Sequence, residues 1–128
     1  MAIEVKYTSD NLGIEFILSD TVYGRDIIDI HKQWHTLEIL NNIKYKIVDR
    51  SRIDKFYASQ EEVKAISELD LDVSSIFPDL VIAIISSSDI MDALAGLWEA
   101  YFDGKIKYIQ RFYSREDAIG WIYKTLKL

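Results

Sequence analysis

Two histidines, His31 and His35, have the residue type and spacing for one kind of chemistry, metal binding. Four apart, they share one face of any helix that holds them, with Glu38 close by. Two imidazoles and a carboxylate are a donor set for a divalent metal ion. The residues between them are Lys32, Gln33 and Trp34, so the glutamate that acts as base in a zinc-hydrolase helix is missing. Lys32 adds a local positive charge, and both histidines flank an apolar stripe, where a hydrogen-bonded histidine is an ordinary structural residue. The expectation is no metal and no cofactor, with His31 and His35 the pair that would hold an ion if one bound.

Other candidates lie at strand and helix ends. Ser86-Ser87-Ser88 follows the apolar run Leu80–Ile85 and leads toward a helix, where hydroxyls and free N–H groups can receive an anion. Ligands of open α/β sheets favour the carboxyl ends of the strands. Arg50 and Arg52 follow the neighbouring strand and are expected at the same edge, so Arg50, Arg52, Ser87 and Ser88 form a candidate anion site; the plainer alternative is a row of cap and turn serines. Ser59 has Glu62 three residues on, the spacing of a capping box. Asp70 and Asp72 fall in an acidic stretch expected to be a wet loop, where carboxylates keep ordinary pKa values and make poor general acids. The five glycines are isolated, which excludes a P-loop and a dinucleotide fingerprint, and nothing resembles Gly-x-Ser-x-Gly. No catalytic motif is visible, so the chain is read as non-enzymatic.

The elements that must position these residues follow from periodicity. Ile3, Val5 and Tyr7 alternate with polar residues, as do Ile14, Phe16 and Leu18, and Ser9-Asp10-Asn11 between them is turn chemistry. This predicts an antiparallel hairpin with one face buried. Ile27, Ile30, Trp34 and Leu37 predict a helix over 24–40, and Tyr45–Asp49 predicts a strand. A second helix opens at Ser59 with Val63, Ile66 and Leu69 inward, and 70–78 reads as loop, either irregular or holding a short helical turn. Leu80–Ile85 is apolar throughout, the pattern of a strand covered on both faces at the centre of a parallel sheet. A third helix is expected from the serine run to Asp103-Gly104, then a strand over 105–113 and a last helix opening at Ser114. The order β-β-α-β-α-β-α-β-α implies an α/β fold: a mostly parallel five-stranded sheet, one antiparallel edge strand, and helices on both faces.

In the third helix, Met91, Leu94, Trp98, Tyr101 and Phe102 spread over more than one narrow stripe. A helix apolar that far round covers something besides its own sheet: a partner, a second copy or an apolar ligand. The alternative is packing against the loop near Phe77-Pro78.

Composition bounds the rest. The 128 residues, 49% hydrophobic and 28% charged, describe one globular domain over 1–128. The chain has no cysteine, which excludes disulfides, thiolate metal sites and thiol nucleophiles. Residues 1–20 read as neither signal peptide nor lipid anchor, no apolar run could span a bilayer, and the expected address is the cytoplasm. A net charge of −6 argues against general nucleic-acid binding. The charge is uneven: residues 56–104 hold ten acids against Lys64 alone, whereas 44–55 and 105–128 are net basic. Such faces are either ordinary solvated surface or complementary patches for a partner or a second copy.

The order and spacing of three segments carry a family resemblance. These are Val48-Asp49-Arg50-Ser51 before the helix at Ser59; Ala83–Asp89 leading to Gly96-Leu97-Trp98; and Phe112–Ile122. Together they resemble the STAS domain of anti-sigma-factor antagonists, and more closely the small STAS/Sec14-like (SpoIIAA-like) bacterial and archaeal family. The resemblance implies that fold and a regulatory or protein-interaction module, with a protein partner or a homo-oligomer. In regulatory STAS domains a phosphorylated serine lies at the start of the second helix within Asp-Ser-Ser-Gly. Here that segment is Tyr57-Ala58-Ser59-Gln60, and Ser59 alone agrees, either as a phosphate acceptor or as a plain N-cap. The Sec14 likeness implies an alternative, a small-molecule or lipid-binding protein with its site under the third helix and an anionic head near Ser87, Ser88 and Arg50. A metal-dependent enzyme using His31 and His35 is the third reading.

Overall fold

A computed structural model of the chain describes residues 2–86 and 104–128. The hairpin forms as expected from β1 (Ile3–Tyr7) and β2 (Gly13–Tyr23), in antiparallel register with Ile3 opposite Leu18. Asp10 closes its turn, accepting from the Leu12 N–H at 2.9 Å and the Thr8 hydroxyl at 2.6 Å. Burial is less simple than alternation predicts. Every residue of β2 from Gly13 to Leu18 is buried, because β1 and β3 flank it, the helix-side core covers Ile14, Phe16 and Leu18, and on the other face the Tyr45 ring lies over Gly13 and Arg115 pairs with Glu15.

The helix expected over 24–40 is two helices, α1 (Gly24–Trp34) and α2 (Leu37–Asn41). The break has a local cause. Thr36 Oγ1 accepts from the Ile39 N–H at 3.2 Å, and a threonine is worth more as a cap than inside a helix. The strand β3 (Tyr45–Tyr57) runs eight residues past its expected end, and α3 (Gln60–Ile76) begins at the Ser59 cap. It continues to Ile76 through the stretch read as loop. Ile66, Asp70, Val73 and Ser74 keep the three-and-four spacing of a buried stripe, with polar residues occupying apolar positions. β4 (Val81–Ile85), β5 (Ile109–Phe112) and α4 (Arg115–Leu126) complete the described elements. The expected third helix, with Met91, Leu94, Trp98, Tyr101 and Phe102, lies outside the described residues.

The sheet order is β1-β2-β3-β4-β5, parallel except for β1. Successive parallel strands step in one direction, so right-handed crossovers put α1, α2 and α3 on the same face. Their core includes Phe16, Leu18, Ile27, Val48, Ile66, Ile82 and Ile84. No strand follows β5, and α4 folds back over the other face, where Ala118 and Ile122 cover Tyr45, Ile47, Val81, Ala83 and Ile85. Two polar contacts pin α4: Arg115 pairs with the buried Glu15, and the Tyr123 hydroxyl donates to Asp10 at 2.7 Å. This is the α/β sheet expected, with its antiparallel edge and both faces covered.

The start of α1 passes close to the start of α3. A Cβ on Gly24 would lie 2.8 Å from Ala58 Cβ and 3.1 Å from Glu62 Cβ. Gly24→Ala is therefore expected to destabilise the fold by about 1–3 kcal/mol in urea unfolding. A loss below about 0.5 kcal/mol would mean that these neighbours move aside freely.

Candidate functional site

The carboxyl ends of β2 and β3 extend past β4, which pairs with β3 only from Tyr45 to Asp49. β3 reaches that length by carrying two more residues than β2 over the same pairing, one at each of two register shifts. At the first, Ile17 and Ser19 face Asp49 and Arg52. Asp49 Oδ1 satisfies the bulge by accepting from the Ser51 N–H at 2.9 Å and the Ser51 hydroxyl at 2.6 Å. The extra residue also inverts the alternation. Arg50 stays buried on the helix-covered face with Lys46, while Arg52 is turned to the exposed side. The two arginines expected to act together thus lie on opposite faces, and Ser87 and Ser88, their expected partners, lie outside the described residues.

The tips of the two strands meet as a stacked aromatic pair. The rings of Tyr23 and Tyr57 lie 5.7 Å apart and 26° from parallel, yet are 50% and 53% exposed. Beside them is a shallow groove of about 520 Å³, lined by Tyr23, Arg25, Phe56, Tyr57, Ser59 and Glu62 among others. Ser59 caps α3 at this groove. Its Oγ accepts from the Glu62 N–H at 3.1 Å, and Glu62 Oε1 accepts from the Ser59 N–H at 2.8 Å. Ser59 is exposed, so its hydroxyl is accessible as well as structural.

The histidines build a second, buried centre. His31 and His35 come together as their spacing implies, with rings 4.6 Å apart. The carboxylate that joins them is Asp70 of α3, whereas Glu38 is exposed on α2. The donor atoms of His31, His35 and Asp70 lie within 4.8 Å of one another. Among them stands Lys46 Nζ, 3.1 Å from His31 Nε2, His35 Nε2 and Asp70 Oδ1 alike. Burial by itself would raise the Asp70 carboxyl, but the Lys46 charge holds it well below the ordinary carboxylate range. Burial, then the Lys46 charge, lowers both histidines, His35 to about 2. Burial likewise lowers Lys46, against the opposing pull of Asp70. The centre is thus a buried lysine–aspartate pair flanked by two imidazoles held below their ordinary pKa.

Sequence reasoning missed Lys46, Asp70, Tyr23, Tyr57 and Arg25. A signal existed for two of them: Lys46 sits inside an apolar strand, and Asp70 is four residues from Ile66 on the inner stripe of α3.

No family model matches the sequence, and no curated protein does. Solved structures do match. The phosphorylated form of SpoIIAA, a cell-fate determinant of Bacillus, superposes with a TM-score of 0.63 at 13% identity, covering 94% of this chain and 99% of that one. This chain has the SpoIIAA-like fold. A protein of the DUF3478 family from Shewanella loihica PV-4, described as having the same SpoIIAA-like fold, superposes with a TM-score of 0.54 at 16% identity, covering 94% and 92%. The SpoIIAA-like architecture is therefore the one the motif resemblance implied, and within it the groove at Tyr23, Tyr57 and Ser59 occupies the carboxyl edge of the sheet, where open α/β folds take their ligands. Among the described residues no helix is long and apolar enough to cross a membrane.

Proposed function

We propose that this chain is a non-enzymatic regulatory module that acts by binding a protein, with the strand tips of β2 and β3 and the start of α3 as its contact surface. The observation that carries this reading is the stacked, half-exposed Tyr23–Tyr57 pair beside Arg25 and Ser59. Tyrosine and arginine dominate the energetics of protein interfaces because they bury much surface around a polar tip. The likeness to SpoIIAA, itself solved in a phosphorylated form, supports a regulatory role. Ser59 is the residue for a phosphate to control. Phosphate there would meet the N–H groups of the first turn of α3 and the guanidinium-bearing groove, and it would displace Glu62 from the Ser59 N–H. Partners contemplated are another protein and a second copy of the chain.

The test is affinity capture with the full chain and the double variant Tyr23→Ala/Tyr57→Ala, with light scattering for self-association. One stoichiometric partner, held at least about 30-fold more weakly by the variant, is the expected result. Equal retention by both proteins would place the contact elsewhere. Retention of lipid in native mass spectra, with no protein partner, would favour the lipid-binding alternative. Intact mass after incubation with the partner and ATP then reports whether Ser59 takes phosphate, with Ser59→Ala as the control.

A further inference from the structure

We infer that His31, His35, Asp70 and Phe16 form a cation cage, that the Lys46 ammonium is its resident cation, and that removing this ammonium turns the cage into a divalent-metal site. The inference stands apart from the groove at Ser59.

Counting donors and acceptors settles which cation the native cage suits. An ammonium has three N–H donors, and three polar atoms surround Nζ at 3.1 Å: Asp70 Oδ1, which accepts, and the Nε2 atoms of His31 and His35, which accept when the ring proton is on Nδ1; this is a hydrogen-bond length rather than the roughly 2.0–2.2 Å of a metal bond. Tautomerism agrees. His31 Nδ1 lies 2.9 Å from the carbonyl oxygen of Ile27, which can only accept, so Nδ1 carries the proton and Nε2 presents its lone pair to Lys46. The fourth wall is the ring of Phe16, with Nζ 4.7 Å from its centroid and His31 stacked on it at 5.2 Å. The whole is buried: Lys46 is 1% exposed and His31 2%.

The same walls suit a metal once Nζ is gone. His31 Nε2 and Asp70 Oδ1 are 3.5 Å apart, close to the edge of about 3.4 Å in a tetrahedron with bonds near 2.1 Å, and the full donor set lies within 4.8 Å, so the remaining donors close in on the ion as it binds. His31 is already oriented by its carbonyl partner, the backing that metal-bound histidines ordinarily have. Two imidazoles and a carboxylate would occupy three positions and water the fourth. In the native chain the ammonium fills that space and repels a second cation.

The experiment is Co²⁺ titration, followed by visible absorption, of wild type, Lys46→Ala, Lys46→Ala/His35→Ala and Lys46→Met. Lys46→Ala is expected to bind one Co²⁺ with the intense absorption of a four-coordinate site and to gain thermal stability with Zn²⁺. Wild type, Lys46→Met (which refills the space with an apolar chain) and the variant lacking His35 should show neither response. Wild type binding Co²⁺ through these histidines, or Lys46→Ala ignoring it, overturns the inference. If Lys46→Ala is unfolded alone, refolding that depends on Zn²⁺ and on His35 supports the cage, and failure to fold with Zn²⁺ overturns it. A measurement on the unaltered chain stands beside these. Nitrogen-15 spectra at neutral pH should show His31 and His35 both protonated on Nδ1, with a slowly exchanging Lys46 ammonium. A proton on either Nε2 would refute the assignment.

Discussion

Asp70→Ala is expected to cost about 3–5 kcal/mol of folding stability, measured by urea unfolding at pH 7. The substitution leaves the Lys46 ammonium 1% exposed with no counter-ion among the described groups that touch it, since His31 and His35 both have lowered pKa values and Arg50 adds repulsion. An uncompensated charge in the interior is among the few single changes that large. Yet the pair is not expected to be worth that much over an apolar core. Desolvating both ions offsets most of their attraction, so Asp70→Leu/Lys46→Met should recover more than half of the loss. Measured with the single variants Asp70→Leu and Lys46→Met, the double variant completes a cycle that separates the penalty of an orphaned charge from the net worth of the pair. An Asp70→Ala protein within about 0.5 kcal/mol of wild type would show that water reaches Lys46 and that the centre is not sealed.

Acidification from pH 7 to pH 5 is expected to remove as much as about 4 kcal/mol of stability. Both histidines of the chain lie in this centre, and both have lowered pKa values. In the unfolded chain they take up protons near pH 6.5, whereas in the fold they stay neutral, His35 down to about 2. Below pH 6.5 the unfolded state therefore binds more protons and gains. The histidine contribution is fully present above pH 6.5 and is lost at about 1.4 kcal/mol per unit for each as pH falls. Asp70, lowered as well, adds a further loss once pH drops below its unfolded value near 4. Equilibrium unfolding at half-unit intervals checks this. Stability that stays level between pH 7 and pH 5 would mean that the fold accepts protons on His31 and His35 as readily as the open chain.

Much of the architecture is legible in local sequence because its causes are local. Leu80–Ile85 reads as a central strand since only such a strand tolerates apolar residues on both faces, and the structure buries all of β4. Ser59 with Glu62 reads as a helix start, and both reciprocal hydrogen bonds form. The hairpin turn and the closing helix are equally local matters of turn and cap chemistry. The errors arose where a residue's environment depends on distant chain. Asp70 and Asp72 share type and acidic context, but one is buried and the other is not.

By itself the sequence determined the order of elements, the parallel sheet with its antiparallel edge, and the pairing of His31 with His35, since each follows from spacing within a few residues. Tertiary structure alone decided that Lys46 fills the space between those histidines, 15 positions from His31 and 24 from Asp70. It also decided that one added residue in β3 sends Arg50 inward and Arg52 outward, and that Tyr23 and Tyr57 meet at the strand tips. Periodicity states which face of an element a side chain occupies. Whether a lysine on that face meets water, a carboxylate or a ring depends on sheet register and on the helices above it, and those are set by the packing of the whole chain.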